Sequence, residues 1–334
     1  MAHDLYIKGK KAAMMYIGEL PWHGLGQRLD KPATSAAAIK AAGLDWTVRK
    51  VPLFARHNGS EAPVKGHYGI VPTDQWGGPR CPVFGVVGKD YRIMQNVDAF
   101  SFFDSIVGEG AALYHTAGAL GQGERVWILA RLDGLMEVTP ADALEKYILL
   151  STGHDGRSSL RVLLTPVRVV CQNTLTMAFS NGQGLANIHH TRDMDTRLVT
   201  ARERIRSVLQ GFDGLQSAYR GMARHKLTDD QAKGYFARIL PEPNTAEENQ
   251  PLFRWVTEDR DNCYHLFHDG KGNKEPSVRG TLWAAYNGVT EYVDHWRQRG
   301  RSSHMDAVCF GGGYRLKARA FDVAVKMVSE FGRN

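Results

Sequence analysis

The side chains with the chemistry to hold an anion are concentrated in one stretch of this sequence. Between Arg157 and Lys226 stand eleven Lys or Arg against four acids, a surplus that equals the net charge of +7 carried by all 334 residues. Charge gathered in this way calls for a polyanionic partner, with nucleic acid first among the candidates. Arg168 and Gln172 lie four apart in the segment Thr165-Pro-Val-Arg-Val-Val-Cys-Gln-Asn-Thr-Leu175, and a guanidinium beside a primary amide offers planar donors that suit phosphate or a base edge. The predicted contact set is Arg157, Arg161, Arg168, Gln172, Arg192, Arg197 and Arg204. Trp76 and Tyr91 are candidate rings on which unpaired bases would stack, although each taken singly reads first as a core residue. No helix-turn-helix or zinc module is visible, so tracking of the backbone of single-stranded DNA is expected rather than base readout.

Other reactive residues carry less. Cys171 stands near a predicted helix start, where a thiol is activated, but it falls on a small-residue packing face and reads as a core thiol. His154, Asp155, His189 and His190 are metal-ligand types, yet adjacent strand residues point to opposite faces, so the two neighbouring histidines do not ligate together. No metal site or cofactor is assigned. The chain has no P-loop, G-x-G-x-x-G, H-E-x-x-H or G-x-S-x-G, so no motif specifies a reaction. Its four cysteines are far apart and form no C-x-x-C pair, which indicates reduced thiols.

The elements that must position these residues follow from periodicity. Thr165 as N-cap and Pro166 at the first helical position predict a helix from there through Leu175 and beyond. Met194, Leu198, Ala201, Ile205, Val208, Phe212 and Leu215 recur at spacings of four and three, which predicts one long amphipathic helix with basic margins, able to pack or to pair with a second subunit. Upstream, Ser35 to Ala42 reads as a short helix. Asp45 to Ala55 reads as a strand kinked near Pro52, and His67 to Val71, Pro82 to Val87 and Tyr91 to Gln95 as further strands. Asn96 caps a helix bearing Phe100, Phe103 and Ile106. Leu113 to Ala117 with Glu124 to Leu132, and Tyr147 to Ser151 with Ser159 to Leu164, read as hairpins. Downstream, helices start at Thr228 and Gly280 and a last one closes the chain. Thr245 and Glu248 form a capping box, and the stretch from there to Glu275 reads as polar and irregular.

The fold class is therefore α+β, with antiparallel hairpins forming a sheet covered by helices. A main domain is expected over residues 1–240 and a mainly helical subdomain over 241–334. No apolar run approaches the length of a membrane span and the N-terminus lacks a signal-peptide pattern, so a cytoplasmic location without membrane contact is expected.

Six segments carry a family resemblance: Glu19-Leu-Pro-Trp-His-Gly-Leu-Gly26, Tyr91-Arg-Ile-Met-Gln-Asn96, Gly123-Glu-Arg-Val-Trp-Ile-Leu-Ala-Arg-Leu132, His154-Asp-Gly156, Thr165 to Leu175, and Gly280-Thr-Leu-Trp-Ala-Ala-Tyr-Asn287. Together they resemble the phage/plasmid-like protein family, whose shared domain is of unknown function. The resemblance implies a bacterial mobile-element or phage origin and supplies no catalytic residues. In outline the chain is also similar to phage single-strand annealing proteins, by architecture alone. The leading expectation is a nucleic-acid-binding protein acting on single-stranded DNA. The alternatives are a self-assembling or partner-binding protein, with a homo-oligomer through the long helix, and a metal-dependent enzyme using a His/Asp site.

Overall fold

A computed structural model describes residues 5–18, 24–31, 33–78, 81–107, 113–168, 186–209, 212–242, 250–297, 308 and 311–332. The chain is α+β and divides into two compact units. The first holds residues 1–133, 147–163 and 184–209, the second 134–146, 164–183 and 210–334. In chain order the first elements are β1 (Ile7–Lys8), β2 (Lys11–Ala12), β3 (Met14–Ile17), β4 (Gln27–Leu29), α1 (Ser35–Ala41), β5 (Val48–His57), β6 (Ser60–Pro72), β7 (Gly85–Gly88), α2 (Asn96–Val107) and β8 (Leu113–Leu120). Then come β9 (Arg125–Thr139), β10 (Asp142–Gly153), β11 (Leu160–Leu164), β12 (Val167–Arg168), β13 (Ala186–Ile188) and α3 (Met194–Leu209). Helices α4 (Phe212–Arg224), α5 (Asp229–Ile239), α6 (Gln250–Asp269), α7 (Leu282–Glu291) and α8 (Gly312–Phe331) complete the chain.

The main sheet runs β13-β11-β10-β9-β8-β3-β4, with β12 added on β10. Its described ladders are antiparallel except for β3 with β4. A separate three-stranded sheet, β5-β6-β7, is antiparallel. In the first unit α2 lays Phe100 and Phe103 on Tyr114 of β8, at centroid separations of 5.5 and 6.0 Å. In the second unit Tyr219, Trp283, Tyr286 and Phe321 form a ring cluster, and the buried Trp283 indole donates to Asp142 Oδ2 at 2.7 Å. Helix α7 runs on into a π-helical turn, Tyr292–Trp296. That turn carries Asp294, which accepts from the buried Lys317 Nζ at 2.8 Å.

Several expectations are corrected. Val167 and Arg168 do not open a helix; they extend as β12 opposite Glu145 and Leu144, because Val-Arg-Val-Val is β-branched at three of four positions and a ladder is available. Arg168 and Gln172 are therefore not a helical i,i+4 pair; Gln172 and Cys171 lie outside the described residues. Of the apolar stripe from Met194 to Leu215, the part from Met194 to Val208 lies on α3 and Phe212 and Leu215 lie on α4, while residues 210–211 lie outside the described residues. Tyr91 to Gln95 is not a strand. Its Gln95 side chain is bonded to Val48, accepting from the amide at 2.9 Å and donating to the carbonyl at 2.9 Å. Asn96 does not cap α2, since its amide is engaged elsewhere. Residues 250–269, expected to be irregular, form α6, whose Cys263, Leu266 and Phe267 are buried. Thr245 and Glu248 lie outside the described residues, as do residues 19–23 of the Trp22 loop.

Candidate nucleic-acid interface

The hairpin end after β10 is a closed turn. Asp155 Oδ1 accepts from the Arg157 and Ser158 amides at 2.9 and 2.7 Å, and Oδ2 from the Ser158 hydroxyl at 2.8 Å. Burial alone would raise this carboxyl, but those donors hold it below the usual carboxylate range. The turn rests on β7, where a Cβ on Gly85 would lie 2.2 Å from the Asp155 carbonyl oxygen, so only glycine fits. Arg157 is left exposed at the rim.

Two histidines fix this turn to its surroundings. Asn96 Nδ2 donates to the Leu44 and Trp46 carbonyls at 3.0 and 3.3 Å, so its Oδ1 is the acceptor and His154 Nε2, 2.9 Å away, carries the proton. Burial first, then His190, lowers the His154 ring to about 4, so it is neutral at pH 7. His190 donates from Nδ1 to the Arg92 carbonyl at 3.0 Å and stacks on Tyr91 at 5.0 Å; burial lowers its pKa as well. Tyr91, the other candidate stacking ring, spends one face on His190 and its hydroxyl on the Gly153 carbonyl at 3.1 Å. His189 is exposed. Among the described residues no group of three or more His, Cys, Asp or Glu is placed to hold a metal ion.

Outside this buried frame, cations from distant parts of the chain meet. The Arg92 amide donates to the His190 carbonyl at 2.9 Å, which sets the residue 88–92 turn against the end of β13. Lys50 Nζ donates to the Lys89 carbonyl at 2.9 Å and lies over the Tyr68 ring at 5.8 Å. Burial lowers the Lys50 amine below its ordinary value, with Asp90 opposing and Arg92 adding to the shift. Arg192 pairs with Asp90, Nε to Oδ1 at 2.7 Å. Lys50, Lys89, Arg92 and Arg192 thus share one surface, in which Asp90 is the acid paired with Arg192.

The surface continues to an open pocket of about 260 Å³ between β13 and α3, lined by Asn187, Ile188, Thr196, Arg197 and Thr200 among others. Arg161 stands opposite Asn187 in the β11 and β13 ladder, so the two side chains share a face. The Asn187 Oδ1 is buried and meets no donor among the described residues. Arg197 reaches Asp193 at 2.6 Å, an exposed i,i+4 pair that solvent screens. A pocket just under the ~300 Å³ floor of ordinary ligand sites has room for one base.

Five predicted contact residues, Arg157, Arg161, Arg192, Arg197 and Arg204, belong to the first unit, and Arg168 to the second. Arg204 lies on α3. Sequence reading missed Lys50, Lys89 and Arg92, because the charge count followed the chain while these residues reach Arg192 only through the fold. Trp76 is half exposed rather than core, and the Arg49 guanidinium covers one face at 4.5 Å.

No described helix is long and apolar enough to cross a membrane. Compared with curated proteins and with solved structures, the chain has no match. A family model described as a domain of unknown function, DUF932, matches residues 83–324, a span that takes in the 88–92 turn, the two histidines and the β13 pocket. The chain belongs to this DUF932 family.

Proposed function

We propose that this protein binds single-stranded nucleic acid, in the DNA metabolism of a phage or plasmid, across the surface formed by Lys50, Lys89, Arg92, Arg192, Arg197 and Arg161. The observation that carries the reading is the meeting of Lys50, Lys89 and Arg92 with Arg192 beside the β13 pocket. The cations follow the backbone, and the pocket with Asn187 takes one unstacked base; an asparagine amide is a good partner for a base edge. His154 and His190 are neutral and serve to hold the turn and β13 in place.

The test is a Lys89→Ala/Arg92→Ala variant assayed on a labelled single-stranded oligonucleotide by gel shift. Both residues are exposed, so the fold should persist. Loss of two phosphate contacts should weaken binding about tenfold at low salt and flatten the salt slope by about 1.4. Unchanged affinity in a folded variant would count against this surface.

A further inference from the structure

Strands β5 and β6 continue past their sheet as a two-stranded arm. From Phe54 to His67 every residue is exposed, and the ladder Phe54↔Pro63, Ala55↔Ala62, Arg56↔Glu61, His57↔Ser60 closes on an Asn58-Gly59 turn with both φ values positive, 47° and 79°. This is the residue pair that a tight hairpin turn demands. A ribbon with solvent on both faces is marginal by itself, so its side chains point to a partner.

The outer edge of β5 does not offer strand addition. Gln95 covers both backbone groups of Val48, and Pro52 has no N–H to give. The faces of the arm remain. One carries Phe54 and Pro63 with Arg56 and Glu61, the other only Ala55, Ala62, His57 and Ser60. Over residues 48–72 the charges are Arg49, Lys50, Arg56 and Lys65 against Glu61 alone. Two strands about 5 Å apart with one face of small side chains are thin enough for a major groove about 12 Å wide.

We infer that this arm lies in the groove of duplex nucleic acid, with Arg56 and Lys65 on phosphates and Phe54 against the bases, so that the protein engages a junction between single strand and duplex. The inference rests on the proposed single-strand binding, since the root of the arm at Lys50 adjoins that surface. Phe54, Val64, Trp76, Val83 and Val86 are also exposed around this small sheet, which makes a second copy of the chain the competing occupant.

The experiment measures anisotropy with three labelled probes: a single strand, a blunt duplex, and that duplex with a single-stranded tail. The parent protein is compared with Phe54→Ala/Arg56→Ala/Lys65→Ala, and light scattering is recorded on both. The parent should bind the tailed duplex about tenfold or more tighter than either simple probe. The variant should lose that advantage while its single-strand affinity stays within about twofold of the parent. Equal affinity of both proteins for the tailed duplex, or a parent dimer that the variant turns into a monomer, overturns the arm's assignment and leaves single-strand binding standing. A parent that binds no single strand removes the underlying reading first.

Discussion

Asp90 and Arg192 stand 102 residues apart and are joined at the surface by an ion pair, Nε to Oδ1 at 2.7 Å. Both side chains are more than a third exposed, so the pair adds little to stability. Its effect is on the surface charge, where Asp90 is the acid set among Lys50, Lys89, Arg92 and Arg192. Asp90→Asn should tighten single-strand binding on the order of threefold at low salt. Its thermal unfolding should stay within about 0.5 kcal/mol of the parent. Weaker binding by this variant would mean that the cluster does not face the ligand.

His154 gives the fold an acid-side weakness. Its folded value of about 4 lies below the ordinary 6.5, so between those values the unfolded chain takes up a proton that the folded chain refuses. Stability from this group is whole above about pH 6.5 and is lost toward pH 4, by about 3 kcal/mol. His190, also lowered by burial, acts in the same direction. His154→Gln keeps a donor for Asn96 Oδ1 without titrating, and urea unfolding measured between pH 4 and 7 should show a flatter dependence for it. Identical pH slopes would contradict the assignment.

The Lys317 and Asp294 pair is buried on both sides, 1% and 6% exposed, and ties α8 to the π-helical turn. Lys317→Met alone should cost about 3–5 kcal/mol by denaturant unfolding, since it leaves a buried carboxylate without its ammonium. Lys317→Met with Asp294→Leu should recover most of that loss. A double variant as unstable as the single one would show that the turn needs the charges themselves.

Gly59→Val places a β-branched residue at φ 79°, a strain of about 1–3 kcal/mol. Among the described residues the arm tip pairs with itself, Phe54 to His57 on Ser60 to Pro63, so the cost should appear locally. Hydrogen exchange of the Phe54 to Ala62 amides should quicken, while global Tm moves by about 1 °C or less. A large fall in Tm would show that the arm supports the core.

How much was legible in the sequence depended on how local the cause was. Helix α5 follows from Thr228, which both caps and forms a box with Gln231. Pro52 marks the register shift in β5 as its ring requires. Thr165-Pro166 carried an equally good local helix signal, but tertiary pairing with Leu144 prevailed. Asn96 and His154, 58 residues apart, look like a cap and a metal ligand until their shared hydrogen bond is seen. The charge surplus named Arg161, Arg192 and Arg197, whereas Lys50, Lys89 and Arg92 join them only through the backbone contacts of the 88–92 turn.

The most direct test of single-strand binding is fluorescence anisotropy of a labelled single-stranded oligonucleotide titrated with the intact protein over a range of salt. Binding should be clear at low salt and fall log-linearly with a slope of about −2 to −4, which corresponds to three to six phosphates at about 0.7 each. No change in anisotropy at low salt, or an affinity indifferent to salt, would contradict the account.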